Sequence, residues 1–317
     1  MTGESATSGG DPGPRRRFGL GRSGWAFEAA LAVVAIAVVG AVALVVSITP
    51  STGAGPHAGM PNMAGTQPSG VMAPVAPHSD GLSDSEMGYR MMPLTVPKAP
   101  GGDQTVDFRI IGPAGMPETR FPPNATKELH FFIVRDDMTA YQHVHPEVVG
   151  DLWRTKVTIP DGGTYRMYAE FTPAGTDPMH PTVLGRNIVI PGDTTHIPLP
   201  PPEAEARAGD YTVTRPEGPG QPIVKQMNTL RFAITDPTGR PVTGLETHLG
   251  AYGHVSAFNV LSQSVTHMHP LEQPGSGPSP SALTFQAQFA ERGEHRMFLE
   301  FRAGGEVRTA AFTVFVT

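Results

Sequence analysis

The stretch LHFFIVRDDMTAYQHVHPE, residues 129–147, decides how this chain reads. Two runs rich in aromatic and β-branched residues flank the polar pair Asp136-Asp137, which is hairpin chemistry. A two-residue turn there sets His130 opposite His143, and opposed residues share a face with Cβ atoms about 4.5–5.5 Å apart. His145 lies two positions beyond His143 and returns to that face. A slip of one residue would send His130 to the other side. Pro146 ends the strand, which would put the three rings at a rim that solvent can reach. Three imidazoles on one patch suit a single metal ion held at roughly 2.0–2.1 Å per nitrogen.

The stretch also occurs twice. At an offset of 124, Phe108 falls on Phe232, Gly115 on Gly239, His130 on His254, His143 on His267, His145 on His269 and Pro146 on Pro270. The second copy gains six residues near PGSGPSPS, after which TYRMYAEF (164–171) falls on EHRMFLEF (294–301). Two copies are too few for a solenoid and read as two similar domains. The second copy adds His248 where the first has Asn124, and its would-be turn, Val260-Leu261, is not turn-like.

Around the hairpins each copy is a series of short strands broken by Gly, Pro and Asp. TVDFRII, WRTKVTI and VLGRNIVI belong to the first copy; TLRFAIT, LTFQAQF and RTAAFTVFV belong to the second. In the 164–171 segment Tyr165, Met167, Ala169 and Phe171 alternate onto one face, and no amphipathic helix of useful length appears. The fold class expected is all-β: two tandem immunoglobulin-like or cupredoxin-like antiparallel sandwiches.

Farther out, Ala29–Val46 is an uncharged apolar run, preceded by Arg15, Arg16, Arg17 and Arg22. Its length nearly crosses a hydrocarbon core of about 30 Å, and the positive-inside rule places the amino terminus in the cytoplasm. The expected organisation is a basic cytoplasmic tail at 1–24 and a single transmembrane helix at 25–48. A Pro/Gly-rich stalk at 49–86, a sandwich at 87–200, a linker at 201–208 and a second sandwich at 209–317 would lie outside the membrane. The stalk carries His57, Met60, Met63, Met72 and His78.

Composition narrows the chemistry. The chain has no cysteine, which removes disulfides, thiolate metal sites and thiol nucleophiles. A net charge of −6 argues against nucleic acid as partner. No G-x-S-x-G, H-E-x-x-H, P-loop or dinucleotide fingerprint occurs, so an enzyme is not expected.

The candidate metal ligands are therefore His130, His143 and His145 in the first copy and His254, His267, His269 and His248 in the second. Met179-His180 and His295 are candidate fourth ligands, whereas Met167 and Met297 alternate in phase with core residues. Imidazole and thioether donors outside the cytoplasm favour a copper ion, with zinc as the alternative. Duplication would equally preserve histidines that only hydrogen-bond across a sandwich.

These motifs, with HLGAYGH, THMHP and VRTAAFTV, resemble a bacterial family of membrane-anchored extracytoplasmic proteins with tandem YtkA-like, cupredoxin-like domains. That resemblance implies a heavy-metal-binding protein at the cell membrane. Such a protein would be a buffer, sensor or chaperone, with another cell-envelope metal-handling protein as a possible partner. A surface interaction module with structural histidines is the alternative.

Overall fold

A computed structural model describes residues 79–178, 180–218, 220–275 and 278–317. The expected transmembrane helix and nearly all of the stalk lie outside these residues. Among the described residues every regular element is a strand, and no helix is long and apolar enough to cross a membrane.

In the first copy, β1 (Ser85–Glu86), β2 (Tyr89–Thr95), β3 (Gly101–Ile111), β8 (Leu152–Ile159) and β7 (Glu147–Val149) form one sheet in that order, with β4 (Pro117–Glu118) on β3. The facing sheet runs β10 (Thr182–Ile190), β9 (Gly163–Phe171), β5 (His130–Arg135), β6 (Gln142–Val144). In the second copy β11 (Glu205–Ala208), β12 (Tyr211–Thr214), β13 (Met227–Thr235) and β16 (Ala282–Gln288) form one sheet. Its facing sheet runs β15 (Val265–Met268), β14 (Gly253–Asn259), β17 (Gly293–Ala303), β18 (Glu306–Val316). Phe108, Phe131, Trp153, Tyr165 and Met167 fill the first sandwich; Phe232, Phe285, Met297 and Phe301 fill the second. The two methionines are thus core packing.

Burial separates outer sheets from inner ones. Strand β8 alternates buried and exposed residues, as a sheet with one wet face should. Strands β5 and β14 are buried at every position, so each has a packed layer on both sides. The second layer is the inner sheet of the other copy. A third apolar cluster, including Phe132, Val134 and Tyr168 from one copy and Phe258, Val265 and Phe298 from the other, fills that seam. Tyr141 stacks on Phe298 with centroids 4.2 Å apart and planes 8° from parallel. The Tyr168 hydroxyl donates to the Gln263 carbonyl at 2.6 Å. Fully burying one such ring stabilises by about 1.5–3 kcal/mol. The result is four stacked sheets in which the two histidine hairpins face each other.

Residues 79–84 run along the same seam. Val265 N–H donates to Asp80 O at 2.9 Å and Gly185 N–H to Ser83 O at 2.8 Å. A Cβ on Gly185 would collide with the Gly81 carbonyl, and Gly81 itself has φ +72°. Both positions need glycine for this close approach.

The hairpin register differs from the two-residue expectation. His143 stands opposite Phe132 rather than His130, and His267 opposite Ser256. In the first copy the turn bond runs from Met138 N–H to Arg135 O, and Met138 (φ 63°) and Ala140 (φ 53°) adopt left-handed backbone. In the second copy the Asn259 carboxamide oxygen accepts from Leu261 and Ser262 N–H, so a side chain supplies the turn that Val260-Leu261 lack. The displacement preserves parity, so His130 and His143 still share a face.

Candidate metal centre at the domain joint

Each hairpin brings its three histidines together. His130 Nδ1 lies 3.0 Å from His143 Nε2 and 3.2 Å from His145 Nε2. Nitrogens bound tetrahedrally at roughly 2.0–2.1 Å from one ion sit about 3.3 Å apart, and the three rings around His130 whose ligand atoms all lie within 4.8 Å of one another are His130, His143 and the second copy's His267. In the second copy the ligand atoms of His254, His267 and His269 lie within 4.8 Å of one another. The two sets share an edge: His267 also falls within 4.8 Å of His130 and His143. The sequence reading of one separate rim site per domain is corrected here. The rings form one cluster in the joint, where each inner sheet covers the other.

The remaining ring nitrogens are held from outside. His130 Nε2 meets Asn124 O at 2.9 Å, and His254 Nε2 meets His248 O at 3.0 Å. These carbonyls occupy matching positions in matching turns, Asn124–Lys127 and His248–Ala251. His143 Nδ1 meets Glu300 Oε2, and His267 Nδ1 meets Glu170 Oε1, both at 2.8 Å. A ring whose N–H is taken by a carbonyl or carboxylate presents its other nitrogen as a lone pair. The free nitrogens are then Nδ1 of the first histidine and Nε2 of the middle one, atom for atom in both copies. In the second copy, His254 Nδ1, His267 Nε2 and His269 Nε2 are buried without any hydrogen-bond partner.

Electrostatics follow from burial. Desolvation, reinforced by neighbouring rings, lowers His130 to about 4 and holds His143, His145, His254 and His267 below the usual histidine value, and desolvation against the opposing pull of Glu170 lowers His269. Burial raises Glu300 to about 7 and raises Glu170 as well. Among the described residues neither carboxyl has a Lys or Arg ion-pair partner; their bonded partners are His143 with Tyr141, and His267. Burial favours the protonated form of both carboxyls, and neutral imidazoles do not offset that. A divalent cation among the rings would, which is a fit between this donor set and a metal.

His248 is half-buried, with its ring 6.0 Å from that of His254, and it contributes its carbonyl rather than ring nitrogen to the observed bonds. His295 lies on the opposite face of β17, its Nδ1–H bonding Gly293 O and its ring against Phe289. His180 bonds Asp177 and His196 pairs with Asp136. Met179 and the stalk methionines lie outside the described residues.

Sequence reasoning missed Glu170 and Glu300. The signal was present: both are the same residue of the aligned segments TYRMYAEF and EHRMFLEF, a carboxylate kept on an otherwise apolar strand.

A family model, Domain of unknown function (DUF8832), matches residues 86–184 and again 206–317. The chain belongs to the DUF8832 family. Both matches include a complete three-histidine set and at least one of the buried glutamates, so the family unit is the duplicated sandwich. No curated protein sequence matches. Solved structures with similar arrangements include the Escherichia coli adhesin FdeC, at 16% identity over 73% of this chain and 65% of that one, TM-score 0.24. The S-layer protein SbsC matches at 13% identity over 72% of this chain and 28% of that one, TM-score 0.20. Fibronectin(III)-like modules of CbhA from Clostridium thermocellum match at 7% over 72% of this chain and 94% of that one, TM-score 0.21. At these scores the likenesses carry no functional argument.

Proposed function

We propose that this DUF8832 protein is a non-catalytic, membrane-anchored extracytoplasmic metal binder. Its duplicated histidine sets take copper, with zinc as the alternative, and the role is buffering, sensing or passing the ion to another cell-envelope protein. The observation that carries the reading is the trio of buried, partnerless nitrogens on His254, His267 and His269, beside which His130 Nδ1 lies 3.0 Å from His143 Nε2 and 3.2 Å from His145 Nε2. Burying lone pairs against one another costs free energy unless something positive sits between them. The partly exposed His145, His269 and His248 give an ion a way in from solvent. The YtkA-like resemblance of the same motifs agrees with this reading, and anchoring by residues 25–48 belongs to it. An all-imidazole set suits copper(II) and zinc alike, so the choice of ion rests on experiment.

One observation favours a second reading. The His143–Glu300 and His267–Glu170 bonds tie the two sandwiches together without any ion. On that reading the histidines are structural and the protein is a surface interaction module. Equilibrating the purified chain with equal copper and zinc, then desalting and weighing bound metal, separates the two. Retained metal that disappears in His143→Ala/His267→Ala, with the β-sheet spectrum intact, supports the metal reading; no retained metal supports the module.

A further inference from the structure

We infer that Glu170 and Glu300 are positioning residues that act across the joint, each orienting the metal ligands of the opposite domain. This rests on the metal-binding reading and deepens it. In sheet register each glutamate is paired within its own domain to the first histidine of that domain, Glu170 to His130 and Glu300 to His254. Its carboxylate nevertheless bonds the other domain. Glu300 reaches His143 and Glu170 reaches His267, with all four side chains no more than 8% exposed. The exchange is reciprocal, as in the interface of a two-fold dimer.

The chemical consequence concerns tautomers. His143 and His267 present Nε2 to the cluster only while Nδ1 carries the proton, and the carboxylate across the joint selects that form. His130 and His254 need no such partner, because carbonyls of their own domains hold their Nε2–H. Each ligand set therefore has its first histidine oriented by its own sandwich and its middle one by the neighbour. A domain separated from its partner keeps three histidines but loses the group that fixes the middle one. Loss of such an outer carboxylate typically weakens metal binding about 10–100-fold.

The test isolates one set at a time. In the full-length chain, His254→Ala/His267→Ala/His269→Ala removes the second set, including the ring that also approaches His130 and His143; His130→Ala/His143→Ala/His145→Ala removes the first. Zinc affinity is measured by competition with a chromophoric chelator. With only the first set left, Glu300→Gln is expected to weaken zinc about 10–100-fold and Glu170→Gln to leave it unchanged. With only the second set left, the two substitutions exchange effects. An effect confined to the glutamate of the same domain, or none from either, overturns the inference while leaving the metal reading standing. Failure of the unsubstituted chain to bind zinc or copper overturns both. A second measurement avoids substitution altogether: nitrogen NMR of the histidines in the metal-free chain should show His143 and His267 protonated on Nδ1. Finding His143 and His267 protonated on Nε2 would contradict the assignment.

Discussion

The two copies agree in the rings that face the joint and disagree in how they hold the hairpin that carries them. The first copy turns on a buried ion pair. The Arg135 guanidinium bonds Asp137 at 2.8 Å and the carbonyls of Asp193 and Thr195, while Asp137 also accepts from Ile197 N–H, tying the turn to the segment that leads to the second domain. The second copy turns on Asn259, a neutral side chain that serves its own loop and Arg292 O. Across the seam the copies are unlike in a complementary way: Val134 corresponds to Phe258, Tyr141 to Val265 and Phe132 to Ser256. The difference teaches that the surroundings of the site diverged toward each other, while three histidines and a glutamate stayed the same in both.

The largest effect should come from breaking the turn that uses charge. Asp137→Ala leaves the buried Arg135 cation short of its counter-ion and is expected to cost about 3–5 kcal/mol. Asn259→Ala removes neutral bonds and should cost about 1–3 kcal/mol. Urea unfolding of both variants checks the ordering, and equal costs would erase the contrast between the copies.

Acid comes next. His130 has a folded value of about 4 against 6.5 unfolded, so its contribution is complete above pH 6.5 and is lost as pH falls toward 4. That single shift corresponds to about 3 kcal/mol. Glu300 runs the other way, since a raised carboxyl favours the fold below pH 4.5 and the benefit is lost as pH rises through about 7. The other lowered histidines outnumber the two raised glutamates, so net stability of the metal-free chain should fall between pH 6.5 and 4. A urea midpoint that is flat or rises over that range would contradict the buried, neutral cluster.

The smallest effect lies at the surface. Arg302 and Glu246 pair at 3.1 Å with both side chains 42% exposed, and Glu246→Ala should change stability by no more than about 1 kcal/mol. A loss several times larger would mean that the second copy also depends on charge.

The sequence made the strand content, the duplication and the sharing of one face by His130, His143 and His145 legible, because alternation and repetition are local signals. Tyr165, Met167, Ala169 and Phe171 were rightly placed on the core face. The opposite face of that strand, Arg166, Tyr168 and Glu170, looks solvated in sequence but is buried, Tyr168 and Glu170 against the other copy and Arg166 against Gly81 and Asn187. Nothing local announces a second layer, so one joint cluster read as two rim sites and both glutamates went unnoticed. The turn was misjudged for a related reason. Left-handed backbone at Met138 and a carboxamide cap at Asn259 are choices that tertiary packing makes among turns of similar local cost.

The measurement that tests the central claim most directly is the metal content of the full-length chain beside its His143→Ala/His267→Ala variant, after equilibration with equal copper and zinc and exhaustive desalting. The account predicts up to two equivalents of metal in the unsubstituted chain and a loss of both in the variant, with the β-sheet spectrum of the two unchanged. A well-folded, unsubstituted chain that retains neither metal would contradict it.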